Sequence, residues 1–290
     1  MSVSPSAPAL SAIVSTLRAA GCVFAEDEAQ LLIATARTSD ELAAMVDRRV
    51  AGLPLEHVLG WAEFCGLRIV VDPGVFVPRR RTEFLVHHAA ELVRLGRAQP
   101  PTVVVDLCCG SGALGLALAA ALSPAPADAA APGSVPGSPP VDLYAADIDP
   151  AAVRCARRNV TTAGGRVYEG DLYEPLPSAV RGRVDVLLAN VPYVPTDEVG
   201  LLPPEARLHE PRVALDGGAD GLDVMRRVAA EAPRWLAPGG QVLVETSERQ
   251  APRAVDAFAG AGLVPHVAAS EEFHATVVVG TRPAGGDGPG

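Results

Sequence analysis

"VVVDLCCGSGALGLALA", residues 103–119, decides the reading of the fold. Three valines in succession make a strand buried on both faces, a glycine-rich turn follows it, and the Ala/Leu-rich run beyond is helical. In an open parallel sheet, ligands bind beyond the carboxyl ends of the strands, at the switch point. Asp106 is expected at the strand end, facing that crevice. Gly110 and Gly112 are expected to let backbone approach a ligand where a Cβ would collide. With Gly115 they match the dinucleotide fingerprint G-x-G-x-x-G, which taken alone fits a structural turn as well as a cofactor cradle.

Working outward, strands at 102–107, 141–147, 184–190 and 240–246 alternate with helices at 112–122, 150–163, 221–235 and 249–261, and a short strand is placed at 166–168. The alternation predicts an α/β fold, Rossmann-like, with a mostly parallel sheet and helices on both faces. Residues 262–282 read as two successive strands, so an antiparallel terminal pair is expected. Upstream, apolar residues recur at helical spacing from Ser11 to about Gly52, with Ser39 and Asp40 offering an N-cap to the third helix. "EFCGLRIVVDPGVFVP" (63–78) alternates and carries Pro73-Gly74, the pattern of a β-hairpin. The plan is an N-terminal helical domain at 1–60, a hairpin linker at 61–78, and the α/β domain at 79–282. Within it, 123–140 is a flexible insertion, and 283–290 a disordered tail.

At 290 residues, 49% hydrophobic and 20% charged, the chain can build one substantial core and a smaller attached domain. Its apolar stretches run about ten residues against the roughly 20 that a membrane helix needs, and its start lacks the basic segment of a secretory signal. A cytoplasmic protein without membrane contact is expected. The five cysteines include an adjacent pair and show no zinc spacing, which fits a reducing compartment. His57, His87, His88, His209 and His274 do not group with acids at ligand spacing, and no metal site is expected. A net charge of −10 argues against a broad electrostatic grip on nucleic acid.

The second strand ends in Asp147, placed to accept hydrogen bonds from ribose hydroxyls. Asp149 precedes Pro150 and reads as an N-cap. Asp171, after the short third strand, is a candidate for the exocyclic amine of an adenine, with Leu172 covering the ring. These features imply an adenosine-bearing cofactor without separating a nicotinamide dinucleotide from S-adenosylmethionine. Asn190 separates them. At the end of the fourth strand, a neutral amide suits neither hydride transfer nor phosphate binding, yet it suits recognition of a planar NH2 group. Its side-chain oxygen and the Val191 carbonyl can both accept from one NH2, while Pro192 and Pro195 restrain the loop and Tyr193 supplies a flat wall.

"NVPY" (190–193) resembles the N-P-P-Y motif of S-adenosylmethionine-dependent methyltransferases acting on planar amino nitrogens. "PLEHVLGWAEFCGLRIVVDPGVFVPRRRTEFLV" (54–86), "DLCCGSGALGLALA" (106–119), "EPRVALDGGADGLDVMRRV" (210–228) and "LAPGGQVLVE" (236–245) resemble, in order, segments of the HemK-type protein-(glutamine-N5) methyltransferases. The resemblance covers about residues 50 to 250. It implies a class I methyltransferase domain behind an N-terminal helical domain, S-adenosylmethionine as cofactor, and methylation of the glutamine in the Gly-Gly-Gln motif of peptide chain release factors. Carried over, Asp106, Cys108, Cys109, Gly110, Ser111, Gly112, Asp147, Asp171, Leu172 and Asn190 form the cofactor site, and Asn190, Val191, Pro192 and Tyr193 hold the acceptor amide. The expected partner is a protein, the enzyme a monomer, and nucleic acid not a direct substrate.

Four departures fit a divergent paralogue at least as well as the principal release-factor enzyme. Val191 replaces a proline, "RRRTE" (79–83) an arginine-proline-glutamate-threonine-glutamate segment, Cys108 a glycine, and "ETS" (245–247) a glutamate-apolar-glycine run. The alternatives are methylation of another planar NH2, on a ribosomal-protein glutamine or adenine N6, or a catalytically silent cofactor-binding partner of translation factors. Arg79 to Arg81 form a solvated helix start or a partner contact. Glu210 and Arg212 are candidates to brace the acceptor loop.

Overall fold

A computed structural model describes residues 7–96, 101–123 and 141–284. The expected insertion and tail lie, but for their first residues, outside the described part. In chain order the elements are α1 (Ala7–Ala19), α2 (Ala25–Thr35), α3 (Ser39–Val50), α4 (Leu55–Leu59), β1 (Trp61–Phe64), β2 (Leu67–Val70), α5 (Glu83–Leu95), β3 (Thr102–Leu107) and α6 (Ala113–Leu122). There follow β4 (Val141–Asp147), α7 (Pro150–Val160), β5 (Arg166–Glu169), β6 (Val184–Ala189), α8 (Pro204–His209), α9 (Asp223–Trp235), β7 (Leu236–Thr246), α10 (Ala251–Gly260), β8 (Val264–Ser270) and β9 (Ala275–Thr281).

The sheet runs β5-β4-β3-β6-β7-β9-β8. β3 pairs in parallel with both β4 and β6, and β9 inserts antiparallel between β7 and β8. Strand order therefore reverses about β3, the switch point. Alternating residues fill two cores. Val104, Val186, Leu188 and Leu243 pack on one face, under α5, α6 and α7, while Val103, Val105, Leu187 and Val242 pack on the other, under α9 and α10. The valine run thus buries both faces of β3, as its composition requires. Leu107 is in register with Ala189, which sets Asn190, one residue past β6, beside the glycine turn.

The N-terminal helices enclose a core of their own, around Leu17, Leu32, Met45 and Val58. The cap of α3 differs from expectation. Thr38 accepts from the Glu41 N–H at 3.1 Å, and the Glu41 carboxylate reaches back to the Arg37 N–H at 2.8 Å, a reciprocal arrangement that Ser39 and Asp40 do not supply. The hairpin also turns elsewhere. β1 and β2 are joined at Cys65-Gly66, both at positive φ, the two-residue turn whose twist matches its strands. Pro73-Gly74 makes a separate turn, Val75 N–H to the Asp72 carbonyl at 3.1 Å, that redirects the chain toward the crevice.

Candidate active site

The glycine turn after β3 is folded largely by its own neighbours. Gly110 and Gly112 take positive φ, 54° and 77°, which glycine adopts without penalty. Their spatial roles differ. A Cβ on Gly110 would meet nothing within 4 Å, whereas one on Gly112 would lie 2.5 Å from Val160 Cγ2 of α7, and one on Gly115 2.8 Å from Leu143 Cδ1 of β4. Gly112 and Gly115 thus permit helix and strand to approach, and it is Gly110 that stands open. The Gly110 N–H donates to Asp147 Oδ2 at 2.8 Å, and Asp147 Oδ1 accepts from the Asp149 N–H at 2.9 Å. Asp149 caps α7 through the Ala151 N–H. Burial raises the Asp147 carboxyl above its ordinary range, opposed by those backbone donors.

A crevice of ≈ 660 Å³ opens beside this turn. Cys108, Cys109, Gly110, Ser111, Asp147, Asn190 and Pro192 line it with Phe76, Pro78, Ile148 and Val213. Ile148 is 52% exposed, an apolar side chain left uncovered at a concave site and suited to a flat ring. Asp106 does not face this crevice. β3 turns it beneath α6, where it is 1% exposed, with Oδ2 accepting from the Gly115 N–H at 2.8 Å and Oδ1 without a partner. Burial pushes its carboxyl up to about 7. Asp171 and Leu172 are not brought to the crevice either. They line a separate depression with Tyr173 and Trp235, and the Asp171 carboxylate is taken by Arg227 Nη2 at 2.5 Å.

Asn190 lines a second cavity as well, of ≈ 1110 Å³, with Val191, Tyr193, Phe76, Arg79 and Glu210. Its Oδ1 is buried and unpartnered, a desolvated acceptor on a residue that lines both cavities. Val191 is 2% exposed and packs into the core with Leu222, so the departure from proline is filled by an apolar side chain. The loop is pinned from distant parts of the chain. The Val194 N–H donates to the Leu215 carbonyl at 3.0 Å, the Gly217 N–H donates to the Val194 carbonyl at 2.8 Å, and Gln250 Nε2 donates to the Tyr193 carbonyl at 3.0 Å. Tyr193 donates its hydroxyl to Glu245 Oε1 at 3.1 Å.

Arg79 and Arg81 do not form a free basic patch. Arg79 pairs with buried Glu210 at 2.5 Å, and Arg81 Nε with buried Glu245 at 3.1 Å. Glu210 also accepts from the Val77 N–H at 3.1 Å, tying the chain before α5 to the segment after the acceptor loop. Burial raises its carboxyl against the pull of Arg79. Arg212 pairs with Asp216, which accepts in turn from Thr196 Oγ1 at 2.6 Å. Sequence reasoning missed Glu245 and Gln250, whose partners Arg81 and Tyr193 lie far away in the chain, and Phe76, which the fold brings to the crevice lining. Among the described residues no group of His, Cys, Asp and Glu could hold a metal ion.

The sheet order, the glycine turn and the crevice at its switch point define a class I, Rossmann-like methyltransferase. The UPF0020 family, described as RMKL-like, methyltransferase domain, matches residues 86–196. A release factor glutamine methyltransferase of Geobacter sulfurreducens is 38% identical, covering 84% of this chain and 79% of its own. That of Mycolicibacterium smegmatis is 35% identical, covering 91% and 92%. A 4-amino-L-phenylalanine/4-methylamino-L-phenylalanine methyltransferase of Streptomyces pristinaespiralis is 36% identical, covering 71% and 65%. The chain belongs to the release factor glutamine methyltransferase family.

Proposed function

We propose that this protein transfers a methyl group from S-adenosylmethionine to the side-chain amide nitrogen of the glutamine in the Gly-Gly-Gln motif of peptide chain release factors. The observation that carries the reading is Asn190, which lines both the crevice and the second cavity and has a buried, unpartnered Oδ1. The crevice suits the cofactor: Gly110 leaves open space, Asp147 offers a carboxylate, and Ile148 an apolar surface. Bound there, S-adenosylmethionine supplies a methyl group activated by its sulfonium. We assign Cys108 to Ser111, Asp147 and Asn190 to that cofactor, and Asn190 to Tyr193 to the acceptor.

An amide nitrogen is a poor nucleophile because its lone pair is delocalised into the carbonyl. The chain's contribution is therefore alignment and charge. Holding the amide in a near-attack geometry can supply on the order of 7 to 11 kcal/mol. Two fixed acceptors, Asn190 Oδ1 and the Val191 carbonyl, stabilise the N–H groups as the nitrogen becomes positive, an oxyanion hole with its sign reversed. The carbonyl is backbone, so replacing the family proline by Val191 leaves the acceptor pair in place.

The same acceptors fit any planar NH2. The Streptomyces relative is named for an aromatic amine, which makes a small aniline the second reading. An adenine is disfavoured by the net charge of −10. We place the enzyme in the cytoplasm as a monomer meeting a protein substrate. Among the described residues no helix is long and apolar enough to cross a membrane. The test is mass spectrometry after incubation with S-adenosylmethionine and release factor, ribosomal proteins, RNA or 4-aminophenylalanine. One methyl group on the Gly-Gly-Gln glutamine supports the reading. Methylation of another acceptor, or cofactor binding by calorimetry without any methylated product, overturns it.

A further inference from the structure

Tyr193 and Arg81 line two cavities, the acceptor cavity and a depression of ≈ 1530 Å³ whose lining also includes Glu245, Thr246 and Glu271. The tyrosine side chain is thus a partition between them. Two side chains hold it, Glu245 and Arg81. Glu245 Oε1 accepts from the Tyr193 hydroxyl at 3.1 Å and from Arg81 Nε at 3.1 Å, and Arg81 Nη2 donates to the tyrosine oxygen. The arginine carbon also lies 5.8 Å from the centre of the Tyr193 ring. Glu245 has a side chain 3% exposed, and its Oε2 has no partner. A carboxylate held that deep with one oxygen unsatisfied is costly, and packing alone gives no reason for it. Its anchors are rigid: Glu245 stands at the carboxyl end of β7, and Arg81 in the turn that opens α5.

We propose that Glu245, gripped by Arg81, is the positioning residue that fixes Tyr193 and through it the acceptor loop 190–193. The inference rests on the functional reading above and names what sets that site. With the carboxylate gone, the hydroxyl has no acceptor, the ring is free to swing into the neighbouring depression, and the acceptor amide loses its wall. Arginine is required opposite because its planar fork reaches carboxylate and hydroxyl together, which an ammonium does not.

The test is a double-mutant cycle on the full chain, with release factor and S-adenosylmethionine. Glu245→Ala and Tyr193→Phe are each expected to lower kcat by about 100-fold, the scale of a small misplacement of reacting groups. The double variant loses no more than the worse single one, because both break the same contact. Glu245→Gln, which keeps an acceptor for the hydroxyl, recovers most of the rate. Cofactor affinity by calorimetry stays unchanged throughout, and exposed Glu248→Gln turns over like wild type. A second readout needs no acceptor: the fluorine resonance of 3-fluorotyrosine placed at 193 shifts on Glu245→Ala and not on Glu248→Gln. Additive losses, or an unmoved resonance, overturn the proposal. Wild-type protein that leaves the release factor unmethylated, while the resonance still moves, refutes the functional reading and upholds the coupling of Glu245 to Tyr193.

Discussion

The two halves of the site are built in opposite ways. The cofactor turn is held by contacts 9 residues apart, Asp106 to Gly115, and 37 apart, Gly110 to Asp147. The acceptor loop is held across 52 residues by Tyr193 and Glu245, 57 by Tyr193 and Gln250, and 112 by Arg81 and Tyr193, and the segment after it across 131 by Arg79 and Glu210. A turn closed by near neighbours forms wherever its short motif is present. A loop pinned by four distant segments can be re-aimed by changing any one of them, and the cofactor turn does not feel the change. Cofactor binding and acceptor geometry are therefore separable, and substitutions on one side test whether they are.

The largest effect is expected at the seam. Asn190→Ala removes a preorganised acceptor, and the rate of methyl transfer is expected to fall roughly 100- to 1,000-fold, the cost of losing one such group. Calorimetry is expected to find cofactor affinity little changed, since Asp147, Ile148 and the turn backbone are intact. An equal rate in mutant and wild type removes Asn190 from the mechanism, and a matching loss of cofactor affinity breaks the separation itself.

Next comes a change confined to the acceptor side. Gly221 lies at φ +76°, and a Cβ there would stand 2.2 Å from the Tyr193 carbonyl and 2.4 Å from Gln250 Nε2. Gly221→Ala is expected to cost about 2 kcal/mol of stability by chemical denaturation. The acceptor KM is expected to rise while the cofactor Kd holds. A changed cofactor Kd with an unchanged acceptor KM reverses the assignment of the two sides.

The same contrast explains what was legible in the sequence. Strand, turn and helix periodicities carried the α/β fold, because hydrophobic alternation reports local geometry directly. The place of Asn190 was legible too, because it directly follows the apolar run of β6 and so falls at the carboxyl end of the sheet, on the crevice. Asp106 was misplaced: composition does not reveal which face of β3 a terminal residue takes, and it is the phase of the alternation, with Val104 in the core under α6, that turns it inward. Arg79 and Arg81 read as a solvated helix start or a partner contact because their carboxylate partners, Glu210 and Glu245, lie more than 100 residues on. The Cys65-Gly66 turn was overlooked in favour of Pro73-Gly74, since cysteine at positive φ has no compositional signature.

Asp106 supplies a pH test on the cofactor side. Its folded carboxyl is raised to about 7 from an ordinary 3.8, chiefly by burial. The native state therefore keeps a proton that the unfolded chain has released. Its stabilising contribution is complete below pH 4 and is lost as pH climbs toward 7, with a slope of up to about 1.4 kcal/mol per pH unit. Asp106→Asn retains the acceptor for the Gly115 N–H and abolishes the titration. Urea midpoints between pH 4.5 and 8 are expected to diverge, the variant gaining on wild type as pH rises. Parallel curves show that native Asp106 is already ionised across the whole range.

The smallest effect lies in the turn itself, at the family glycine replaced by Cys108. Its φ is 53°, left-handed backbone that costs a residue bearing a Cβ about 1 to 2 kcal/mol. Part of that cost is offset, because the side chain packs against the core under α9, and because glycine forfeits more conformational freedom on folding. Cys108→Gly is therefore expected to stabilise the protein by no more than about 1 kcal/mol, read as a shift in denaturation midpoint. The thiol is held neutral by burial and by the nearby carboxylates of Asp147 and Asp106, so its removal takes no charge from the crevice. Cofactor Kd and acceptor kinetics are both expected to stay at their wild-type values. A loss of cofactor affinity would show instead that the Cys108 side chain is a binding contact, and that the turn's strain is retained for its ligand.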